Sequence, residues 1–257
     1  MDLFLNMFSF FHESNIKRAV KNIFLKRQPN VVLLEPHFGL GDNLICIGLI
    51  RTIASQNPKV RYYLACLPTY FHSITWIYQD VANIFPVAIT RGREARQLAG
   101  FLNATHQTIG IYNIDIKRFD ACFYEQYRLP FDYRWSKSAV PPGPKSEELF
   151  DKLNPTGEPY ILVCRTESGN AVFDLKINNP LGHKIIEVGP ATNNIYDWSK
   201  LVENTSEIHS IDTAFFHFVE NVLCGRNDKA LYYHLAKKKL KSDFTRRLPW
   251  QLVDYED

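Results

Sequence analysis

The stretch "EPHFGLGDNLICIGLIRTI", residues 35–53, limits what this chain can become more than any other. Before it stands Val31-Val32-Leu33-Leu34, a short uninterrupted apolar run of the kind that forms a central parallel strand. Pro36 ends that strand, and Gly39 and Gly41 permit backbone angles and close approaches that a Cβ would forbid. Asp42 sits where a helix N-cap belongs, and the apolar spacing that follows predicts a helix over 43–55. Strand, glycine turn and helix N-terminus in this order make a site for an anion or a diphosphate. The plain alternative is a turn in which Asp42 only caps the helix.

The same alternation continues. Strands are predicted at 60–67, 84–89 and 107–114, with helices at 71–81 and around "EARQLAG", so the first part of the chain reads as an α/β domain with a parallel sheet. "AVPPGPKSEELF" interrupts this with prolines and a glycine and reads as a linker. A second unit follows, with strands at 159–164, 184–188 and 207–211, helices at 196–204 and 214–223, and a basic helix around 231–239. Two α/β lobes are therefore expected, 1–145 and 146–257, with ligand in the cleft between them.

The second lobe carries its own strand-turn-helix, "SEIHSIDTAFFHFVENV". Asp212-Thr213 would cap a helix whose first free amides, on Thr213, Ala214 and Phe215, point out of the strand end with the helix dipole behind them. His217 lies one turn along the same face. The bland reading makes Asp212 a cap and His217 a packing residue.

Composition excludes more than it assigns. A net charge of +3 on 257 residues is too small to argue for nucleic acid. The charge is uneven: residues 1–30 are +3 and residues 226–247 are +6. The N-terminal 27 residues read as an aromatic helix followed by a basic one, either packed on the domain or resting on an anionic membrane surface. They do not resemble a signal peptide, and no apolar run is long enough to span a bilayer. The five cysteines show no C-x-x-C spacing, which suggests reduced core residues in a cytoplasmic protein without a zinc site. Leu44 stands where a G-x-G-x-x-G dinucleotide fingerprint needs its third glycine; a Walker lysine and a G-x-S-x-G elbow are missing too.

Two lobes, each with a turn suited to polyanions or hydroxyls, describe a glycosyltransferase of the two-Rossmann (GT-B) type. "GLGDNLICIGLIRTI" resembles the N-terminal motif of the ADP-heptose:lipopolysaccharide heptosyltransferases, whose first strand ends in Gly-x-Gly-Asp. "SIDTAFFHF" is similar to their C-lobe motif, Asp-Thr-Gly/Ala-x-x-His before an apolar helix. The chain departs from that family in being short, in having "VCRTESGN" at its mid-chain strand end, and in the block "EQYRLPFDYRW". That block has no chemical assignment; Glu125, Tyr127, Arg128, Arg134 and Trp135 read as an interlobe surface.

The resemblance implies an inverting transfer of a sugar from a nucleoside-diphosphate sugar to a hydroxyl of a glycan acceptor of lipopolysaccharide or capsule type. Asp42 would be the general base, with His37, Gly39, Gly41 and Asn43 around the acceptor. Arg165, Thr166, Ser210, Asp212, Thr213, Ala214 and His217 would hold the donor, and His209 is a further polar candidate. No Asp-x-Asp occurs, so no metal and no cofactor beyond the sugar nucleotide is expected. The basic termini suit an enzyme at the inner membrane face. The alternative of another class is a non-catalytic binding or scaffold protein on a degenerate transferase fold.

Overall fold

The computed structural model describes residues 30–110, 115–167, 169–226, 228–236 and 244–255. The N-terminal aromatic and basic segment, and most of the lysines of the C-terminal one, lie outside the described residues.

The first sheet is formed by β1 (Val31–Glu35), β2 (Arg61–Cys66), β3 (Ile84–Ala88) and β4 (Thr105–Thr108), all parallel, in the order β3-β2-β1-β4. Between them run α1 (Leu40–Ile45), α2 (Ile47–Gln56), α3 (Phe71–Ile77) and α4 (Gly92–Leu102). The second sheet is also parallel, with β5 (Tyr160–Cys164), β6 (Lys184–Glu187), β7 (Glu207–Ser210), β8 (Ala230–His234) and β9 (Gln251–Val253) in the order β6-β5-β7-β8-β9. Between the sheets lie α5 (Phe119–Gln126), α6 (Tyr133–Ser136) and α7 (Ser146–Leu153), and α8 (Ser199–Asn204) and α9 (Ala214–Val222) belong to the second lobe. The α/β two-lobed architecture expected from the alternating pattern is therefore present. No helix among the described residues is long and apolar enough to cross a membrane.

Burial explains the pattern. β1 and β5 are enclosed along almost their whole length, as central parallel strands must be. One apolar cluster joins the inner faces of both sheets: Leu34 and Leu64 from the first, Leu162, Ile208 and Leu231 from the second, with Ile47, Phe123, Phe216 and Phe218 from the helices between. The two lobes thus share a continuous core. α5 is tied to it where the Tyr124 hydroxyl donates to the Ile45 carbonyl at 2.8 Å.

Three expectations need correction. Residues 231–234, expected in a basic helix, form β8, because Leu231 and Tyr233 fill the inner face while the strand pairs with β7 and β9 on either side. Of the strand expected at 107–114, residues 111–114 lie outside the described residues; β4 begins earlier, at Thr105, and ends at Thr108, after which Gly110 takes φ +72° and a Cβ there would stand 2.1 Å from the Phe123 ring. The linker read in 139–150 is irregular only up to its last proline, since α7 starts at Ser146 and packs on α8.

Gly48 shows how closely α2 is held. A Cβ there would lie 1.8 Å from the Tyr133 carbonyl oxygen, whereas one at Gly100 in α4 would meet nothing within 4 Å. Gly48→Ala should lower Tm by on the order of 5 °C through overpacking, and Gly100→Ala should raise it slightly by removing helix-disfavouring glycine. Thermal unfolding of the two variants side by side checks both signs.

Candidate active site

In parallel sheets, ligands bind beyond the carboxyl ends of the strands where the strand order reverses. In the first sheet that point lies between β1 and β4, and in the second between β5 and β7. The two turns singled out by sequence leave β1 and β7, so both sit at these reversals.

At the end of β1 the N-cap of α1 is Gly39, with φ −63° and ψ 142°, and Asp42 is the third residue of the helix. The expectation that Asp42 is the cap is therefore corrected. Its carboxylate folds back over the turn instead: a Cβ on Gly39 would fall 2.6 Å from Asp42 Oδ2. Asn43 is buried and braces the turn, its Nδ2 donating to the carbonyls of Gly39 (2.8 Å) and His37 (3.1 Å). His37 donates from Nε2 to the Gly110 carbonyl at 2.5 Å and stacks on Phe123. Burial raises the Asp42 carboxyl to about 6; His37 opposes this shift, and Asp212 adds to it. The carboxylate is thus ionised at neutral pH yet holds a proton far more readily than an exposed aspartate, which suits a general base.

At the end of β7 the N-cap of α9 is Thr213, φ −148° and ψ 174°, whose side chain makes no capping hydrogen bond. The Thr213 hydroxyl lies 3.5 Å from Cys164 Sγ at the end of β5. Asp212, Thr213 and Ala214 stay partly exposed. This turn meets the first one directly: a Cβ on Gly41 would lie 3.6 Å from Ala214 Cα and 3.0 Å from His217 Cδ2. His217 is buried, and burial together with Arg134 holds it well below the usual imidazole range.

The remaining donor-side candidates are placed differently. Ser210 is fully buried, and its hydroxyl donates to the Ile211 carbonyl at 2.9 Å. Arg165 grips Glu187 of β6 with two donors, Nε at 3.0 Å and Nη2 at 2.5 Å. Thr166 is exposed and starts a tight hairpin through a bridge to Val172. The structure therefore brings together His37, Gly39, Gly41, Asp42 and Asn43 with Asp212, Thr213, Ala214 and His217, while Ser210 and Arg165 take other partners and Thr166 is exposed.

The last two residues of "EQYRLPFDYRW" lie between the lobes, as expected, but inside the core instead of on a surface. Arg134 and Trp135 are buried. Arg134 pairs with the equally buried Asp120, whose carboxylate also accepts from the Thr245 amide at 3.0 Å. Trp135 donates its indole N–H to Glu220 at 3.1 Å; Glu220 is buried and accepts as well from Trp250 Nε1, Arg247 N and Leu248 N. Sequence reasoning missed both networks, since nothing local marks a charge that long-range partners will satisfy. Two hollows lie away from the two turns: one of about 340 Å³ is lined by Trp135, Val140, Pro142, Ser199 and Glu203, another of about 230 Å³ by His72, Trp76, Asn193 and Asp197. Neither is bordered by Asp42 or Asp212, so chemistry rather than volume marks the candidate site.

His209 faces away from the turns. Its Nδ1 lies 2.9 Å from His234 Nε2, and His234 Nδ1 lies 2.7 Å from the Tyr255 hydroxyl. Burial lowers both imidazoles to about 4. Because the unfolded chain binds these protons first, with an ordinary value near 6.5, the stability is fully present above that pH and is lost as pH falls toward 4. Urea midpoints taken from pH 7.5 to 4.5 should fall more steeply for the wild type than for a His209→Asn/His234→Asn double variant.

No protein-family model and no curated protein matches the sequence. Comparison with solved structures identifies the fold as that of two-lobed GT-B glycosyltransferases. A family 9 glycosyl transferase from Veillonella parvula is similar at 10% identity and TM-score 0.54, over 89% of this chain and 87% of that one. The ADP-heptose lipopolysaccharide heptosyltransferase II of E. coli is similar at 10% identity and TM-score 0.55, over 87% and 90%. The dodecameric iron-containing heptosyltransferase TibC, in complex with ADP-D-beta-D-heptose, aligns at 11% identity and TM-score 0.51, over 87% of this chain and 62% of its own.

Proposed function

We propose that this protein transfers a sugar from a nucleoside-diphosphate sugar to a hydroxyl of a glycan acceptor. One observation carries this reading: the turns at the two topological reversals meet at Gly41 and Ala214, which puts the Asp42 carboxylate and the N-terminus of α9 side by side. Such transfers need a base for the attacking hydroxyl and positive potential for the departing diphosphate. Asp42 supplies the first. The first-turn amides of α9, with the Thr213 hydroxyl, supply the second. Asp212, set at the head of α9 beside a second carboxylate, suits a sugar hydroxyl better than a phosphate. The fold is shared with a heptosyltransferase that holds ADP-D-beta-D-heptose, which favours a sugar nucleotide as donor. The positive termini suit an anionic, membrane-attached acceptor.

A second reading has its own support. Arg165 is spent on Glu187, so the cation expected to face the diphosphate is engaged elsewhere. A protein that binds sugar nucleotides without turning them over would tolerate this.

Thermal-shift titration with ADP, GDP, UDP, CDP and CMP separates these readings from a scaffold that binds none. A shift from one nucleoside diphosphate, followed by turnover of its sugar conjugate, supports the transferase; a shift without turnover supports the binding protein; no shift from any of the five defeats both. In the transferase, Asp42→Asn should abolish turnover while sparing donor affinity, and Thr213→Val should weaken that affinity by roughly 1–3 kcal/mol. Because Asp42 must be unprotonated to act, kcat/KM should rise with pH through about 6 and then level off, as a pH–rate profile would show.

A further inference from the structure

Arg134 reaches the candidate site through a single neighbour. Its Nη2 lies 3.0 Å from Nδ1 of His217, while Nη1 is held by Asp120 and by the Thr245 carbonyl at 3.3 Å. Arginine has donors only, so His217 Nδ1 must accept, and in the neutral ring the proton then sits on Nε2. The Nε2 edge is the one turned toward the first lobe: a Cβ on Gly41 would lie 3.6 Å from Nε2. Among the described residues Nε2 makes no hydrogen bond, and the ring is wedged between Gly41 and the edge-on Phe244.

We propose that Arg134 is a positioning residue that locks His217 as a neutral imidazole with its proton on Nε2, aimed at the junction of the two turns as a fixed hydrogen-bond donor to the phosphate or sugar oxygens of the ligand. The donor role rests on the reading of that junction as the sugar-nucleotide site; the lock does not. Among the described residues, the charged and titratable groups near the ring include Arg134 of α6, Asp120 of α5 behind it, Cys46 between α1 and α2, and, on the side of the turns, Asp42 of α1 and Asp212 at the head of α9. Arg134 is the one in direct contact, and it opposes a second ring proton, so His217 serves neither as acid nor as base. Asp120 makes this arrangement stable: it neutralises the buried guanidinium and fixes its plane. An arginine in a segment between the lobes thereby sets the donor pattern of a C-lobe histidine.

The test reads the ring itself. In wild-type protein labelled with 15N-histidine, long-range 1H–15N spectra, with the His217 signal assigned through a His217→Gln variant, should show a neutral Nε2–H ring that does not titrate between pH 5.5 and 8. Arg134→Lys keeps a charge near Asp120 but removes the planar second donor, and Arg134→Met/Asp120→Asn removes both charges together so that neither is left stranded. In both, the Nδ1–H form should appear, and affinity for the nucleoside diphosphate that shifts the wild type should fall about tenfold, the size of one lost hydrogen bond. A wild-type ring that carries its proton on Nδ1, or that titrates in this range, overturns the lock without any variant. A tautomer unchanged in both variants overturns Arg134's part in it. A locked ring in a protein that binds none of the five nucleotides overturns the donor role and the sugar-nucleotide reading together, while supporting the lock.

Discussion

The contact between α1 and α9 is the constraint on which the rest of the molecule depends. Two helix starts, from different sheets, approach until only a glycine and an alanine separate their backbones, with His217 filling the remaining space. A Cβ at position 41 would crowd the His217 ring at 3.0 Å while meeting Ala214 Cα at ordinary van der Waals distance. The shared apolar core, in which Leu44 and Ile47 pack in the same cluster as Phe215 and Phe218, holds the lobes in that register. The functional proposal inherits this geometry, because neither turn alone offers both a base and a place for a leaving anion.

Close approach has an electrostatic consequence. Asp42 and Asp212 repel, and burial adds to the cost of charging Asp42, so the carboxylate is shifted upward instead of being held low by its helix. Behind the turns the protein buries three more charges and gives each partners: Arg134 pairs with Asp120, although its Nε finds no hydrogen bond among the described residues, and Glu220 accepts from four N–H donors. Breaking a buried pair is far more damaging than its net worth suggests, because one partner is left without solvent. These networks therefore specify the arrangement of the interlobe segment and the C-terminal segment around α9 more than they add stability.

Much of the fold was legible because its signals are local. Short apolar runs ended by proline or glycine announced the strands, and helical spacing announced α9 and one helix over 43–55, which the structure starts at Leu40 and splits at Cys46 into α1 and α2. Where the signal is mixed, tertiary pairing decided. "ALYYH" beside a run of lysines looks like the start of a basic helix, but β7 and β9 on either side make it a strand. Asp42 was legible as important and misplaced by three residues, since a cap and a third helical position differ only in backbone angles that Gly39 takes up.

The sequence by itself determined the two lobes and their two turns, because strand, glycine or Asp-Thr, and helix N-terminus are written in consecutive residues and need no partner to be read. Only the tertiary structure decided which of the polar residues share one site. Asp42 meets the His217 turn across more than 170 positions of chain; Arg165 is withdrawn by Glu187, and Ser210 by its own backbone. Arg134, expected on an interlobe surface, is buried with its Nη2 3.0 Å from His217 Nδ1. The physical reason is the same in each case: a polar side chain's role is set by what else is excluded from water beside it, and that company is gathered by folding, not by neighbourhood in the chain.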